Sequence, residues 1–255
     1  AEVSEALRKR LRALSLLARD RGGKIEVPAV TAPFLQDLRQ EGAGLELDRA
    51  ADTLLSRVEE ASRLYPKIPP ELRADLRDYQ AEGYRWMSRL AAWGAGACLA
   101  DDMGLGKTVQ AVALLLSRAR EGAALVVTPA SVLYNWKNEL GRFAPGLRCA
   151  MLGPSDREKT VRELGPGDVL LTTYGLLAGE SELLSKRTWR TAVLDEAHMI
   201  RNRGTRTSQA ARSLSADFRL ILTGTPVQNN LSEIWSLFEF INPGLLGSFE
   251  AFTER

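Results

Sequence analysis

The sequence has little sulfur and almost no imidazole: two cysteines, Cys98 and Cys149, and one histidine, His198, in 255 residues. Together they fall short of the four Cys/His ligands of a structural zinc site, and two cysteines make no disulfide framework. No structural zinc and no disulfide are therefore expected, in a reducing interior. No apolar run approaches the roughly 18 residues that a membrane span requires, and no signal peptide opens the chain, so no membrane partner is expected. Charge of one sign is also missing. The balance of 34 Lys and Arg against 32 Asp and Glu leaves +2, which by itself argues for neither nucleic acid nor an acidic membrane. There is no internal repeat and no low-complexity segment. One missing glycine raises the leading question. The stretch "CLADDMGLGKTVQ", Cys98–Gln110, nearly fits the phosphate-loop pattern G-x-x-x-x-G-K-[ST], but Asp101 stands where the first glycine belongs.

What is present is ordinary for a soluble globular protein: 45% hydrophobic and 26% charged residues, in a chain long enough for one large domain or two modest ones. It begins at Ala1 rather than Met and stops at "FEAFTER", so a piece of a longer protein is expected. Residues 1–70 read as a mainly helical accessory segment. An amphipathic helix is expected over Ser4–Arg19, with Leu7, Leu11, Leu14 and Leu17 at helical spacing. Its Arg8–Arg12 run offers phosphate contacts, although a solvated helix face explains it more simply. "GGKIEVPAV" holds a short strand, and "APFLQDLRQEG" and "DRAADTLLSRVEEASRL" read as two further helices, with Asp48 near the start of the second. The proline-rich "YPKIPPEL", Tyr65–Leu72, is the candidate boundary.

Residues 71–255 change character. Short apolar runs ("GACLA", "AALVVTP", "RCAML", "DVLLTTY", "TAVLDE", "RLILTGT") alternate with helical patterns ("TVQAVALLLSRAR", "LYNWKNELGRF", "EKTVRELG", "RTSQAARSL"). That alternation predicts an α/β fold, a parallel β-sheet flanked by helices, with ligands beyond the carboxyl ends of the strands. The polar residues fall where this fold needs them. After "ACLA", a turn with Gly104 and Gly106 leads to Lys107 and Thr108 at a helix start, where unpaired N–H groups and the helix dipole attract an anion. Lys107 then neutralises the β- and γ-phosphates and the Thr108 hydroxyl ligates Mg²⁺. "TAVLDEAH" delivers two carboxylates at a strand end: Asp195 for Mg²⁺ and Glu196 to orient and deprotonate the attacking water. A lone Asp-Glu pair is more often a solvated strand end; beside a phosphate loop the balance reverses. His198 is read as a polar contact within this site, because one histidine gives little support to a metal cluster or a Ser-His-Asp triad.

The segments "LRDYQAEGYRWM", "LADDMGLGKTVQ", "VVTPASVLYNWKNEL", "LLTTYGLL", "LDEAHMIRN" and "LTGTPVQNNLSEIWSLFEFINPGLLG" follow in this order. From Leu72 onward the chain resembles the first RecA-like lobe of a Swi/Snf-type ATPase of the helicase-like superfamily two, a P-loop NTPase lobe. In that family an acidic residue commonly opens the loop, which answers the question of Asp101. The resemblance implies ATP and Mg²⁺, with Asp102, Met103, Gly104, Leu105, Gly106, Lys107 and Thr108 around the phosphates and Gln80, with Arg77 beside it, at the adenine. It implies that Thr223, Gly224 and Thr225, with His198, relay the γ-phosphate state. It also implies double-stranded DNA along Ser131, Asn135, Trp136, Thr172 and Thr173, partners suited to backbone phosphates of any sequence. Among these Trp136 is the weakest, since an aromatic on a helix is more often core. Arg201 and Arg203, in the loop "RNRGTR", are either solvated or DNA-facing. A second RecA-like lobe is expected to supply an arginine finger, worth on the order of 10³–10⁵ in rate in such sites, so residues 1–255 alone are expected to bind ATP weakly and turn it over barely, with little DNA stimulation. Two alternatives stay open: a non-catalytic nucleotide- or DNA-regulated scaffold, and the lobe of a strand-separating helicase. Ala-, Arg- and Leu-rich composition favours a prokaryotic, nucleoid-associated cytoplasmic setting over a nucleus.

Overall fold

The computed structural model describes residues 19–21, 24–40, 46–224 and 231–253. The helix expected from Ser4, its Arg8–Arg12 run and the coupling candidate Thr225 lie outside the described residues. Arg19, expected as the last residue of that helix, instead begins a strand. Arg19–Arg21 (β1) pairs antiparallel with Lys24–Glu26 (β2), and the Gly22-Gly23 dipeptide between them is a hairpin signal.

Two helices follow, Ala32–Gln40 (α1) and Arg49–Arg63 (α2). The Asp48 carboxylate accepts the Ala51 N–H at 2.8 Å and caps α2. Ala32, Leu35 and Leu38 meet Leu55 and Val58 in a small core, with Trp93 packed against it. Trp93 ends the next helix, Asp78–Trp93 (α3), so the helix pair rests on the larger body.

That body is built from β3 (Ala97–Leu99), α4 (Lys107–Arg118), β4 (Ala124–Thr128), α5 (Leu133–Phe143), β5 (Arg148–Met151), α6 (Arg157–Glu163), β6 (Asp168–Thr173), α7 (Tyr174–Gly179), α8 (Ser181–Ser185), β7 (Thr188–Trp189), β8 (Thr191–Asp195), α9 (Arg206–Ser213), β9 (Ser215–Ala216), β10 (Arg219–Leu222), α10 (Leu231–Ile241) and α11 (Phe249–Thr253). The six strands anticipated from apolar runs form one sheet in the order β3-β10-β8-β4-β6-β5, every pairing parallel. A short parallel pair, β7 with β9, was not anticipated.

The strands are apolar throughout because both faces are covered. Leu99, Val126, Leu171, Val193 and Leu222 face a core shared with Met87 of α3, Leu114 of α4, and Trp136 and Leu140 of α5. Their neighbours Leu125, Val127, Leu170, Leu194 and Ile221 face Leu177 of α7, Leu184 of α8, Ala211 of α9 and Phe240 of α10. Each fully buried Leu, Val or Phe contributes roughly 1.5–3 kcal/mol relative to exposure. The chain's far end also holds the first strand: the Gly96 N–H donates to Asn242 Oδ1 at 2.8 Å, and Asn242 Nδ2 donates to Gly96 O at 3.3 Å. A Cβ at Gly96 would lie 2.3 Å from Ile241 O, so only glycine admits this contact.

Candidate active site

Parallel strands bring their carboxyl ends to one rim. Leu222 of β10 is in register with Leu99 on one side and with Asp195 on the other. The root of the glycine loop and the acidic pair therefore stand level, two strand spacings or about 10 Å apart.

The loop from Ala100 to Gly106 turns on Gly104 (φ 84°) and Gly106 (φ 76°), left-handed conformations that favour glycine. Gln80, at the start of α3, donates through Nε2 to Leu105 O at 3.0 Å and accepts the Arg77 N–H at 3.0 Å through Oε1. It approaches so closely that a Cβ on Gly106 would lie 2.4 Å from Nε2. Arg77 is exposed at the N-cap of α3. Lys107 folds back over the loop and donates to Asp101 O at 2.7 Å and Asp102 O at 3.0 Å. Thr108 is half-buried in the first turn of α4. Met103 is exposed, 82%.

Asp101 does not leave a gap in place of the usual glycine. Its Oδ2 accepts Gln110 Nε2 at 3.3 Å, and Gln110 is fully buried. Gly83 of α3 makes room: a Cβ there would lie 2.0 Å from Gln110 Oε1. Gln110 and Gly83 were not anticipated. The signal was an amide three residues beyond Lys107, on the face of α4 that packs on α3.

At the other place, Asp195 is held by neutral donors. Oδ2 accepts Trp136 Nε1 at 2.7 Å and Thr128 Oγ1 at 3.3 Å, Oδ1 accepts the Glu196 N–H at 2.9 Å, and the main-chain oxygen accepts the Tyr174 hydroxyl at 2.7 Å. Burial, then the charges of Asp195 and Glu196, hold the Tyr174 phenol well above its usual range, so it stays a donor. Burial first and Asp195 second also raise the carboxyl of half-buried Glu139. Glu196 has left-handed backbone (φ 50°, ψ 52°), a conformation that costs a non-glycine residue about 1–3 kcal/mol. It redirects the chain into the 3-10 turn Ala197–Ile200, which sets His198 Nδ1 3.2 Å from Glu196 Oε2.

Lys107 meets carbonyls and Asp195 meets an indole, a hydroxyl and an amide; neither makes an ion pair among the described residues. An ammonium that meets carbonyls and, two strands away, a carboxylate that meets neutral donors fit a metal-bound polyphosphate. Between them, the Thr223 N–H donates to Leu99 O at 3.2 Å, and a Cβ on Gly224 would sit 3.1 Å from Met103 Cγ. The coupling candidates Thr223 and Gly224 thus touch both the strand and the loop.

Two expected nucleic-acid contacts are corrected. Trp136 is 1% exposed and Thr172 is fully buried, so neither offers surface to DNA. Trp136, Leu133 and Leu140 recur at helical spacing on the packed face of α5, and Trp136 serves Asp195 instead. Ser131 and Asn135 are exposed; half-buried Thr173 caps α7 by accepting the Leu176 N–H at 3.3 Å. Arg201 lies 3.9 Å from Glu233, while Arg203 stacks 3.9 Å over the Phe249 ring and reaches Glu250 at 3.4 Å. Both arginines are exposed, yet tied to the C-terminal helices.

Comparison with known proteins agrees with this architecture. The SNF2-related domain family matches residues 79–255. A putative ATP-dependent helicase/translocase, YwqA, of Bacillus subtilis (strain 168) is 40% identical over 222 residues, covering 84% of this chain and 24% of that protein. The TATA-binding protein-associated factor mot1 of Aspergillus fumigatus is 39% identical over 206 residues, 74% of this chain and 11% of its own length. The chain thus spans a quarter or less of these relatives. Among solved structures, the Sulfolobus solfataricus SWI2/SNF2 ATPase core in complex with dsDNA superposes with a TM-score of 0.67 at 42% identity, over 74% of this chain and 41% of that one. With a parallel sheet of RecA-like type and this match over most of its length, the chain belongs to the SNF2-related family and is an ATPase domain homologous to those of helicase/translocase and remodelling proteins.

Proposed function

We propose that the chain is the ATP-binding lobe of a DNA-dependent ATPase that moves along double-stranded DNA, completed by a second RecA-like lobe. The observation that carries the reading is a pair of charges with no ion-pair partner among the described residues: the Lys107 ammonium, which meets carbonyls at the end of the loop that leaves β3, and the Asp195 carboxylate, which meets neutral donors at a strand end level with that of β3. Lys107 exchanges the carbonyls of Asp101 and Asp102 for β- and γ-phosphate oxygens, and the N–H groups that open α4 take the rest. Gln80 and Arg77 serve the adenine side. Thr108 and Asp195 would hold Mg²⁺, which would supply Lewis-acid neutralisation of the phosphates. Glu196 orients water and accepts its proton, with His198 steadying the carboxylate. Thr223 and Gly224, between strand and loop, relay the nucleotide state; Thr225 belongs to the same motif.

The DNA side rests on exposed Ser131 and Asn135, on Thr173, and on Arg201 and Arg203, all suited to phosphates rather than bases. The relatives described above, a putative helicase/translocase and an ATPase core in complex with dsDNA, support that choice.

The test uses the full-length protein. Double-stranded DNA is expected to stimulate its ATP hydrolysis, with DNA affinity falling steeply as salt rises. It should displace a third strand from a triplex yet leave a plain duplex wound. Glu196→Gln is expected to bind ATP like wild type and lose at least 100-fold in turnover. Normal turnover in that variant removes Glu196 from the mechanism, and unwinding of a plain duplex favours a strand-separating helicase.

A further inference from the structure

The two segments expected to follow DNA each carry, on their buried side, a donor to the same residue. On α5, Asn135 is exposed while Trp136 beside it is buried and binds Asp195 Oδ2 at 2.7 Å. At the end of β6, half-buried Thr173 precedes Tyr174, whose hydroxyl binds Asp195 O at 2.7 Å. Fully buried Thr128, at the end of β4, adds a second donor to Oδ2 at 3.3 Å. A carboxylate with one oxygen fixed by two donors cannot rotate about its Cβ–Cγ bond without breaking both. Phenylalanine at 136 would keep an aromatic ring in the core, though a smaller one, and valine at 128 would keep the shape. What the indole N–H and the hydroxyl add is direction for the carboxylate.

We propose that Trp136 and Thr128 are positioning residues for the metal: they fix the Asp195 carboxylate for Mg²⁺. Trp136, through its place on α5, ties that carboxylate to the nucleic-acid face. The inference rests on the nucleotide reading above. Partners of this kind, which bind a ligand's carboxylate rather than the metal, typically govern 10- to 100-fold in metal affinity.

The experiment is equilibrium binding of a non-hydrolysable ATP analogue to residues 1–255, titrated with Mg²⁺ and repeated in EDTA. It compares wild type, Trp136→Phe, which keeps an aromatic core and removes the N–H, and Thr128→Val, which keeps shape and removes the hydroxyl. The Mg²⁺ concentration at half-saturation is expected to rise about 10-fold in Trp136→Phe and by a smaller factor in Thr128→Val, with affinity in EDTA unchanged. The inference is overturned if the Mg²⁺ curves of the folded variants coincide with wild type, or if affinity falls equally with and without metal, the signature of general damage. Should Trp136→Phe fail to fold, Thr128→Val decides alone. Wild type that shows no Mg²⁺-dependent binding overturns the nucleotide reading itself, and this inference with it.

Discussion

Glycine at position 106 answers two demands at once, a left-handed backbone (φ 76°) and the close approach of Gln80, whereas Gly104 (φ 84°) answers only the first, because a Cβ there would meet open space. Alanine at either position carries the left-handed penalty of roughly 1–2 kcal/mol. Alanine at 106 also displaces the Gln80 amide from Leu105 O. Gly106→Ala is therefore expected to weaken binding of an ATP analogue several-fold more than Gly104→Ala, measured by calorimetry on the two variants side by side. Equal losses would mean that Gln80 does not steady the loop. At this scale the sequence was a good guide to charge and a poorer one to burial. Lys107, Asp195 and Glu196 could be read from the apolar strands that precede them. Trp136 was assigned to DNA by resemblance, although Leu133, Trp136 and Leu140 already marked a packed helical face. Thr172 misled for a related reason: a hydroxyl in a strand covered on both sides has no route to the surface. Gln110, Gly83, Thr128 and Tyr174 act through partners 21 to 67 residues away or on a neighbouring helix, a separation that a linear pattern does not disclose.

At the scale of elements, the six parallel strands were legible because a strand buried on both faces has no polar alternation to blur it. The register between them was not, and it is the register of Leu222 with both Leu99 and Asp195 that levels the two halves of the site. The contact between Gly96 and Asn242, 146 residues apart, was equally hidden. It fastens α10 to the strand that launches the phosphate loop. Asn242→Ala leaves the buried Gly96 N–H without its acceptor, a loss of about 1–3 kcal/mol. Urea denaturation is expected to show a lower midpoint with an unchanged slope, and nucleotide affinity at low urea should be nearly that of wild type. A midpoint within error of wild type would mean that this contact is not a structural tie.

At the scale of the whole molecule, one large α/β body carries a small helical pair on α3, joined through Trp93. The strand ends that launch the phosphate loop and carry Asp195 lie level on one rim of the sheet, while the DNA candidates Asn135 and Thr173 stand on segments that reach Asp195 through Trp136 and Tyr174, which pack in the cores on the sheet's two opposite faces. Electrostatics explains the economy of this plan. A net charge of +2 gives no global field to speak of, so attraction for a polyphosphate has to be local, made by one lysine and a helix start. Lys107 is consequently the residue on which phosphate binding most depends. The most direct measurement is the affinity of residues 1–255 for an ATP analogue with Mg²⁺, for wild type and for Lys107→Ala. The expected result is saturable binding by wild type and at least a 10-fold loss in the variant. Equal affinity in both proteins would contradict the assignment of the Gly104–Thr108 bend as the phosphate cradle.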